Sequence, residues 1–272
     1  KPLYNYFPGK MIFSVGSFGC NLKCPFCQNV SISGAGEPDC KDFVLIPNAT
    51  PESIVRTAID RGSFGIAFTY NEPLVNYEFM LETAELARQD GLKNVLVTNG
   101  QINPAPLDKL MPFIDAANVD LKSIDAGTYR DYVGGDLGVT LNTISRMYNA
   151  GVHIEITHLM VTGHVDSIDE IEQMAIWIKN LGAEIPFHIS RYFPMNLEKN
   201  PPTTPEALLA ARKRAMEFLK YVYVGNFYFE DVSDTICSSC GKTLITRTGY
   251  DVRIDLDGNK CPKCGTVLDG VF

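Results

Sequence analysis

The sequence lacks any excess of positive charge. Its 24 Lys and Arg residues are outnumbered by 32 Asp and Glu residues, which gives a formal net charge of −8 and a pI near 5.1. A protein that binds nucleic acid through phosphate contacts normally presents a basic surface. The composition therefore argues against a nucleic-acid-binding protein.

Long apolar segments are also missing. A transmembrane helix needs a run of about 18 apolar residues, and neither such a run nor a signal peptide occurs in the sequence. We therefore expect a soluble, cytoplasmic protein with no membrane partner. Because the sequence begins with Lys1 instead of Met, we also expect the start of the natural chain to lie upstream.

Cysteine is not scarce, but the pattern of a disulfide framework is absent. The eight cysteines fall into one C-x3-C-x2-C set (Cys20, Cys24 and Cys27), two C-x2-C pairs (Cys237 with Cys240, Cys261 with Cys264) and the single Cys40. Closely spaced cysteines in an acidic cytosolic chain are more typical of metal ligands than of disulfides. The sequence thus predicts two metal centres, and we interpret Cys40 as an uninvolved thiol.

Short β-rich runs alternate with helical segments through most of the chain. We predict strands at residues 11–16, 64–69, 94–98, 116–121, 153–161, 186–190 and 221–225. Helix starts are indicated by Thr50, Ser167 and Thr204, and helix ends by Gly91, Gly151 and Gly182. This alternation predicts an α/β protein with parallel strands joined by right-handed crossovers. About six strand–helix units predict a partial (β/α)6 TIM-like barrel over residues 1–230, with its chemistry at the carboxyl ends of the strands.

The composition changes after Asn226. Cysteines, short β-like runs and a turn at Asp257-Gly258 replace the strand–helix alternation. We therefore predict a small C-terminal domain over residues 231–272, a four-cysteine ribbon. Its ligands are Cys237, Cys240, Cys261 and Cys264, and its metal is predicted to be zinc. The alternative left open is a rubredoxin-like mononuclear iron that relays electrons.

The three cysteines near the N-terminus form an incomplete ligand set. Cys20, Cys24 and Cys27 can hold three irons of a [4Fe–4S] cluster, whereas clusters that only carry electrons normally have four cysteine ligands. The fourth iron is then open to a ligand with an amine and a carboxylate, and S-adenosylmethionine (SAM) offers both. One electron from the cluster can break the bond from the SAM sulfur to C5′ and release a 5′-deoxyadenosyl radical. A structural site completed by Cys40 is the alternative.

These cysteines and the motifs around them resemble radical SAM enzymes. The closer resemblance is to the AmmeMemoRadiSam-system enzymes, relatives of the pyruvate formate-lyase activating enzymes. It rests on KPLYNYFPG (1–9), CNLKCPFCQN (20–29), FTYNEP (68–73), VTNG (97–100), DLKSID (120–125), HISRYFP (188–194) and the C-terminal cysteine pairs. The resemblance covers nearly the whole chain and implies the radical SAM barrel with a [4Fe–4S] cluster and SAM as cofactors.

The resemblance also implies roles for residues at the predicted strand ends. Asp120 and Lys122 would join the cysteines in the catalytic centre, near the SAM carboxylate and the substrate. Glu72 would receive the methionine amino group, and Phe26 would lie near the adenine. The full set of expected SAM contacts is Phe26, Thr69, Tyr70, Asn71, Glu72, Thr98, Asn99, His188 and Arg191.

Ordinary structure offers an alternative for several of these residues. Asn71-Glu72-Pro73 has the composition of a turn that opens a helix. Asp120 and Lys122 lie two apart on a strand, hence on one face, where they can form a simple ion pair. A histidine on an apolar strand, such as His188, is commonly a hydrogen-bonded core residue.

The chain departs from the pattern of enzymes that activate glycyl radical proteins. Val97 stands where those enzymes have an acid, and Phe193 stands where they have a histidine. Upstream of the cysteines, the segment 7–10 replaces their DGPGxR signature. These departures leave the SAM machinery in place but weaken the inference that glycyl radicals are made.

We therefore predict an oxidoreductase that cleaves SAM reductively and abstracts hydrogen from a protein or peptide. The alternative is the same radical chemistry on a small molecule, and the rival from another class is a non-enzymatic iron–sulfur electron carrier. Expected partners are an electron donor such as ferredoxin or flavodoxin, and the Memo-like and AMMECR-type proteins that the family name implies. No nucleic acid is expected among them.

Overall fold

The computed structural model describes residues 3–34, 48–229 and 231–272. The chain divides into two compact units. The first comprises Met11–Ile154 and Met195–Lys199, and the second comprises residues 3–10, Glu155–Pro194 and Asn200–Phe272. Cys40, for which the sequence predicts no role, lies outside the described residues.

Four parallel strands form the sheet of the first unit. They are β1 (Phe13–Val15), β2 (Gly65–Phe68), β3 (Lys93–Thr98) and β4 (Ala116–Asp120), and they lie side by side in chain order. All of β2 and the last five residues of β3 are buried, which is the pattern of parallel strands covered on both faces. Because the strands are parallel, the segments that follow them all start at the same edge of the sheet.

Helices connect these strands. They are α1 (Val30–Ser33), α2 (Pro51–Asp60), α3 (Tyr77–Gln89), α4 (Pro104–Leu110), α5 (Ala126–Thr128) and α6 (Leu137–Asn149), with 3-10 turns at Pro73–Asn76 and Met111–Phe113 and a wide π turn at Tyr129–Val133. The predicted start of α2 is confirmed. The Thr50 hydroxyl accepts the N–H of Ser53 at 3.3 Å, and the Ser53 hydroxyl accepts the N–H of Thr50 at 2.9 Å. This reciprocal cap pairs two N–H groups that lack helical acceptors.

Three parallel strands and two helices form the larger part of the second unit. The strand β5 (His153–Met160) pairs with β6 (Phe187–Arg191), and β6 pairs with β7 (Val222–Gly225). The helices are α7 (Ile168–Leu181) and α8 (Pro205–Ala215). Their caps are Ser167 and Thr204, as predicted, and the two side chains accept backbone N–H groups at 3.1 and 3.2 Å.

The C-terminal part of the second unit is a small antiparallel sheet. Its strands are β8 (Thr235–Ile236), β9 (Thr243–Thr248) and β10 (Asp251–Ile254), in the order β10-β9-β8. The chain then returns to the N-terminal segment, where the N–H of Phe7 donates to the Val271 carbonyl at 2.7 Å and the N–H of Val271 donates to the Asn5 carbonyl at 2.8 Å. The ribbon is therefore fastened to residues 5–7 by backbone hydrogen bonds that no sequence pattern indicated.

The observed elements confirm the predicted α/β class, because each predicted strand overlaps one of the seven parallel strands of the described residues. The domain division at residue 230 stays a prediction. Among the helices that the structure describes, none has the length and apolar character needed to cross a membrane.

Candidate functional site

The candidate site begins with the loop that follows β1, which we call the cysteine loop (residues 17–29). Cys20, Cys24 and Cys27 are half-buried in this loop. The N–H of Leu22 donates to the Cys20 Sγ at 3.4 Å, and the N–H of Cys27 donates to the Cys24 carbonyl at 3.2 Å. Burial raises the pKa of the Cys20 thiol to about 11. Because a metal binds the thiolate, metal binding at this loop releases a proton.

Asn71, in the segment after β2, holds the start of the cysteine loop. Its Nδ2 donates to the Ser17 hydroxyl at 3.0 Å and to the Gly19 carbonyl at 2.8 Å. Its Oδ1 accepts the N–H of Ser17 at 3.0 Å. The preceding Tyr70 has a left-handed backbone, with φ of 76°, and its carbonyl accepts a hydrogen bond from the Asn29 side chain. The predicted residues Tyr70 and Asn71 therefore contact both ends of the cysteine loop.

Asn99, in the segment after β3, holds the next part of the same loop. Its Nδ2 donates to the Asn21 Oδ1 at 2.7 Å and lies 3.7 Å from the Cys20 Sγ. Its Oδ1 accepts the N–H of Gln101 at 2.9 Å, which fixes the orientation of the amide. The structure thus brings Asn99 to a predicted cluster ligand.

Glu72 joins the ends of β2 and β3 through its carboxylate, and only 1% of the residue is exposed. Its Oε1 accepts the Thr98 hydroxyl at 2.7 Å and the N–H of Leu74 at 3.1 Å, and its Oε2 accepts the N–H of Asn99 at 2.7 Å. Burial raises the pKa of the Glu72 carboxyl, and these hydrogen bonds oppose the increase. A carboxylate has about four acceptor positions. Glu72 therefore supports the strand ends, and these three bonds use three of its roughly four acceptor positions.

Asp120 and Lys122 form the ion pair that the sequence left open as an alternative. The Lys122 Nζ lies 2.7 Å from the Asp120 Oδ2, and each side chain is about 15% exposed. The N–H of Lys122 donates to the Tyr129 hydroxyl at 3.3 Å, and that hydroxyl donates to the Thr140 Oγ1 at 3.2 Å. Low exposure leaves this attraction less screened than on an open surface. The role of the pair near the substrate stays a prediction.

Thr69 and Phe26 are the other predicted SAM contacts of the first unit. Both are buried, with exposures of 6% and 3%. The N–H of Thr69 donates to the Val15 carbonyl at 2.9 Å, which prolongs the pairing of β1 with β2. The Phe26 ring packs against the Tyr132 ring, with centroids 5.5 Å apart. Their contacts to SAM remain predictions.

His188 lies on β6 in the second unit and has buried polar contacts there. Its Nε2 is 2.5 Å from the Glu155 Oε2, and its ring meets the Tyr4 ring edge-on, with centroids 4.9 Å apart. Glu155 is fully buried and also accepts the N–H groups of Tyr4 and Asn5, at 2.9 and 2.7 Å. His188 is therefore a hydrogen-bonded core residue, which is the alternative that the sequence left open for it. A contact of His188 with SAM stays a prediction.

Arg191 ends β6 in the second unit. Its guanidinium carbon lies 4.8 Å from the centroid of the Phe193 ring and 5.6 Å from that of Phe227. Its Nε donates to the Thr203 carbonyl at 2.8 Å. Cation–π contacts and a backbone acceptor therefore fix the head group, and its contact with SAM stays a prediction.

The sequence reasoning missed several residues that support the cysteine loop. Asn21 donates to the Gln101 carbonyl at 3.0 Å, and Gln101 donates to the Thr140 hydroxyl at 2.7 Å. The N–H groups of Leu197 and Glu198 donate to the Pro25 carbonyl. The amides of Asn21 and Gln101 adjoin recognised motifs, which was a usable signal, whereas residues 197 and 198 lie far along the chain and gave none.

The four C-terminal cysteines converge on one point of the second unit. Their Sγ atoms all lie within 4.8 Å of one another, with 3.6 Å between Cys237 and Cys264 and 3.7 Å between Cys240 and Cys261. Zn–S bonds of about 2.3 Å give sulfur–sulfur edges of about 3.8 Å in a tetrahedron. The Thr266 hydroxyl and N–H lower the pKa of the Cys264 thiol to about 6. The set therefore fits a tetrahedral metal and already favours one thiolate.

Each cysteine pair of the ribbon is shaped by a glycine. Gly241 and Gly265 have left-handed backbones, with φ of 70° and 74°. Their N–H groups donate to the Cys237 and Cys261 carbonyls at 3.0 and 2.8 Å. Glycine adopts this conformation without a Cβ penalty, so the two pairs form equivalent turns.

Sequence comparison places the chain among known relatives. The Radical SAM superfamily model matches residues 14–178. An uncharacterized protein of Methanocaldococcus jannaschii is 38% identical over 278 residues, covering 100% of this chain and 81% of the relative. The pyruvate formate-lyase-activating enzyme of Clostridium pasteurianum is 25% identical over 194 residues, covering 66% and 78%. The GTP 3',8-cyclase of Staphylococcus haemolyticus is 27% identical over 178 residues, covering 62% and 50%.

Solved structures share the fold. SuiB of Streptococcus suis bound to S-adenosylmethionine matches with a TM-score of 0.62 at 13% identity, covering 80% of this chain and 52% of SuiB. A domain of a pyruvate-formate lyase-activating enzyme from Bacteroides vulgatus matches with a TM-score of 0.52 at 19% identity, covering 60% of this chain and 99% of the domain. These likenesses confirm the predicted fold. The chain belongs to the radical SAM superfamily.

Proposed function

We propose that Cys20, Cys24 and Cys27 hold a [4Fe–4S] cluster with one iron open to SAM. The observation that carries this proposal is the three-thiol loop, fastened by Asn71 and Asn99 from the carboxyl ends of β2 and β3. The other four cysteines of the described residues are grouped with one another. When bound, the cluster supplies an electron that cleaves SAM to methionine and a 5′-deoxyadenosyl radical, which takes a hydrogen atom from the substrate.

The residues around the loop are proposed to bind and orient SAM. Glu72 accepts the amino group of SAM with its remaining acceptor position, and its internal bonds keep the carboxylate fixed. Lys122, held by Asp120, provides a cation for the SAM carboxylate. The buried ring of Phe26 offers an apolar surface for the adenine. Preorganised groups of this kind lower the cost of ordering a flexible ligand.

We propose a protein or peptide as the substrate. The similarity to the Clostridium pasteurianum activating enzyme supports this class. The similarity to GTP 3',8-cyclases supports the second candidate, a small molecule. Val97 and Phe193 depart from the activating-enzyme pattern, so we do not propose that the product is a glycyl radical. An electron donor such as ferredoxin or flavodoxin, and Memo-like and AMMECR-type partners, remain part of the proposal.

For the ribbon we propose a structural zinc. Four converging thiols form a closed shell, and such a set leaves no position for a substrate. The same shell accepts iron, so an electron-relaying mononuclear iron is the second candidate. Metal analysis of protein from ordinary medium distinguishes the two.

The reaction is tested with anaerobically reconstituted protein, dithionite and SAM. We expect 5′-deoxyadenosine and methionine from the wild type and none from Cys24→Ala. Asn142→Ala, an exposed change on α6, is the matched control and should retain the activity. Reduced wild-type protein that carries a cluster but forms no deoxyadenosine would support the electron carrier instead.

The substrate class is tested with an extract of host cells grown in D2O. Ultrafiltration divides this extract into a retained macromolecular fraction and a small-molecule filtrate. Hydrogen abstraction from a deuterated substrate gives deuterated 5′-deoxyadenosine. We expect deuterium only with the retained fraction, and loss of the signal after protease treatment. Deuterium only with the filtrate would establish the small-molecule alternative.

A further inference from the structure

A short segment distant in sequence contacts the second half of the cysteine loop. Met195–Lys199, which we call the clamp segment, belongs to the first unit, although the chain on both sides of it belongs to the second. The N–H groups of Leu197 and Glu198 both donate to the Pro25 carbonyl, at 2.9 and 3.0 Å. The Asn196 Nδ2 lies 3.5 Å from the Cys24 carbonyl. The clamp segment therefore holds the backbone between two predicted cluster ligands.

Glu198 fixes the clamp segment through a buried carboxylate. The residue is 8% exposed. Its Oε2 accepts the Tyr132 hydroxyl at 2.7 Å, and its Oε1 accepts the N–H of Lys199 at 3.0 Å. The Tyr132 ring also packs against Phe26, between Cys24 and Cys27 in sequence. Glu198 and Tyr132 thus contact the same stretch of the cysteine loop by two routes.

The backbone next to Cys20 and the backbone at Pro25 are held by different groups. The first half, with Cys20, is held by the neutral amides of Asn71 and Asn99. The second half, with Cys24 and Cys27, is held by the clamp segment, which carries the buried carboxylate of Glu198. A charge away from water acts over short distances with little screening. Net charge near an iron–sulfur cluster helps to set its reduction potential.

We propose that Glu198 is a positioning residue for the Cys24–Cys27 half of the loop. Together with Tyr132 it orders this half before metal binds, and its charge lowers the reduction potential of the bound cluster. The second part rests on the proposed function, because it requires the [4Fe–4S] cluster at these cysteines. The first part concerns the metal-free protein alone.

The ordering role is tested by alkylating metal-free protein with iodoacetamide and following each cysteine by mass spectrometry. Tyr132→Phe removes the hydroxyl that donates to Glu198 and keeps the ring. We expect alkylation of Cys24 and Cys27 to become about tenfold faster, because a hydrogen bond to a charged group is lost. Cys20 should react at the wild-type rate, which makes it an internal control for global unfolding. Equal rates at all three cysteines in variant and wild type would overturn the ordering role.

The charge role is tested with Glu198→Gln, which keeps the shape and an acceptor for Tyr132. Its reconstituted cluster should have a more positive midpoint potential than the wild type in a titration followed by EPR. Tyr132→Phe keeps the charge and should shift the potential little. Glu82→Gln, an exposed change on α3, is the matched control for both measurements. An unchanged potential in Glu198→Gln would overturn the charge role.

These outcomes are independent of SAM cleavage. Faster alkylation in Tyr132→Phe supports the ordering role even if the wild type forms no deoxyadenosine. Conversely, SAM cleavage by the wild type with unchanged alkylation in Tyr132→Phe would leave the proposed function intact. That result would contradict the ordering role of Glu198 and Tyr132.

Discussion

The two cysteine sets of this chain are built in opposite ways. In the ribbon, four thiols come together through two glycine turns whose hydrogen bonds close within a few residues. In the cysteine loop, three thiols lie on a backbone held by Asn71, Asn99 and the clamp segment. Each cysteine pair of the ribbon is therefore shaped by local hydrogen bonds, whereas the cysteine loop depends on contacts with distant parts of the chain.

This difference matches the chemistry proposed for each set. A closed four-thiolate shell suits a metal that stabilises a small fold and performs no reaction. An incomplete three-thiolate shell needs an additional ligand, and the groups that hold it come from strand ends where a ligand can also bind. The comparison predicts that the two sets respond independently to mutation.

Loss of one loop thiol should have the largest effect. Cys24→Ala should remove most cluster iron and abolish SAM cleavage, because no spare thiolate lies in the loop. The ribbon metal should remain at one per chain. Iron, zinc and sulfide analysis with a deoxyadenosine assay measures both outcomes.

Cys40→Ala is the control for this prediction. It should retain cluster and activity, because Cys40 is expected to have no role. If Cys40→Ala were as damaging as Cys24→Ala, the cluster would have a fourth thiolate ligand. The proposal that one iron is open to SAM would then be wrong.

Loss of one ribbon thiol should have the next largest effect. Cys240→Ser should release the ribbon metal and lower the melting temperature, because the small core around Leu244 and Ile245 includes Cys237 and Cys261 themselves. Structural zinc contributes about 10–16 kcal/mol of binding free energy in zinc-finger peptides. The loop cluster should still assemble. A variant that loses cluster and ribbon metal together would contradict the independence of the two sets.

Loss of one supporting amide should weaken the loop without abolishing it. Asn99→Ala removes the hydrogen bond to Asn21 and the contact to Cys20. Loss of an ordinary hydrogen bond costs about 0.5–1.5 kcal/mol, so a chelator should extract iron several times faster. Asn142→Ala should match the wild type. An unchanged rate in Asn99→Ala would show that the amide does not hold the loop.

The smallest expected effect is on the pH dependence of stability. Burial raises the pKa of Glu72 above the ordinary 4.5, so the folded state binds its proton more tightly than the unfolded chain does. The stability linked to this proton is complete below pH 4.5 and is lost as the pH rises through the raised folded value.

Glu72→Gln cannot titrate, so it should flatten this dependence. We expect the free energy of unfolding of Glu72→Gln to fall less than that of the wild type as the pH rises above 4.5. Chemical denaturation at several pH values measures the difference, with Glu82→Gln as the control. Parallel curves for the wild type and Glu72→Gln would contradict the raised pKa.

Local signals carried most of what the sequence predicted. The apolar runs at β2 and β3, the caps at Thr50, Ser167 and Thr204, and the paired cysteines of the ribbon all lie within a few residues of the structure they form. A cap or glycine turn is decided by its immediate neighbours. The α/β class and the ribbon could therefore be predicted.

Long-range contacts could not be predicted. Glu72 was expected to bind SAM, but two of its three internal bonds depend on the alignment of two strand ends. Glu155 and Glu198 are buried carboxylates whose partners lie far away in sequence. A single sequence shows neither that such a residue is buried nor what compensates its charge, because both follow from packing.

The central claim is that the three cysteines leave one iron of the cluster open to SAM. Its most direct test is the EPR spectrum of the reduced, reconstituted protein with and without SAM. If SAM binds the iron that Cys20, Cys24 and Cys27 leave open, its addition should change the cluster signal, and continued incubation with dithionite should yield 5′-deoxyadenosine. The signal should not change on adding methionine sulfoxide in place of SAM. An identical spectrum with and without SAM, together with no deoxyadenosine, would contradict the account.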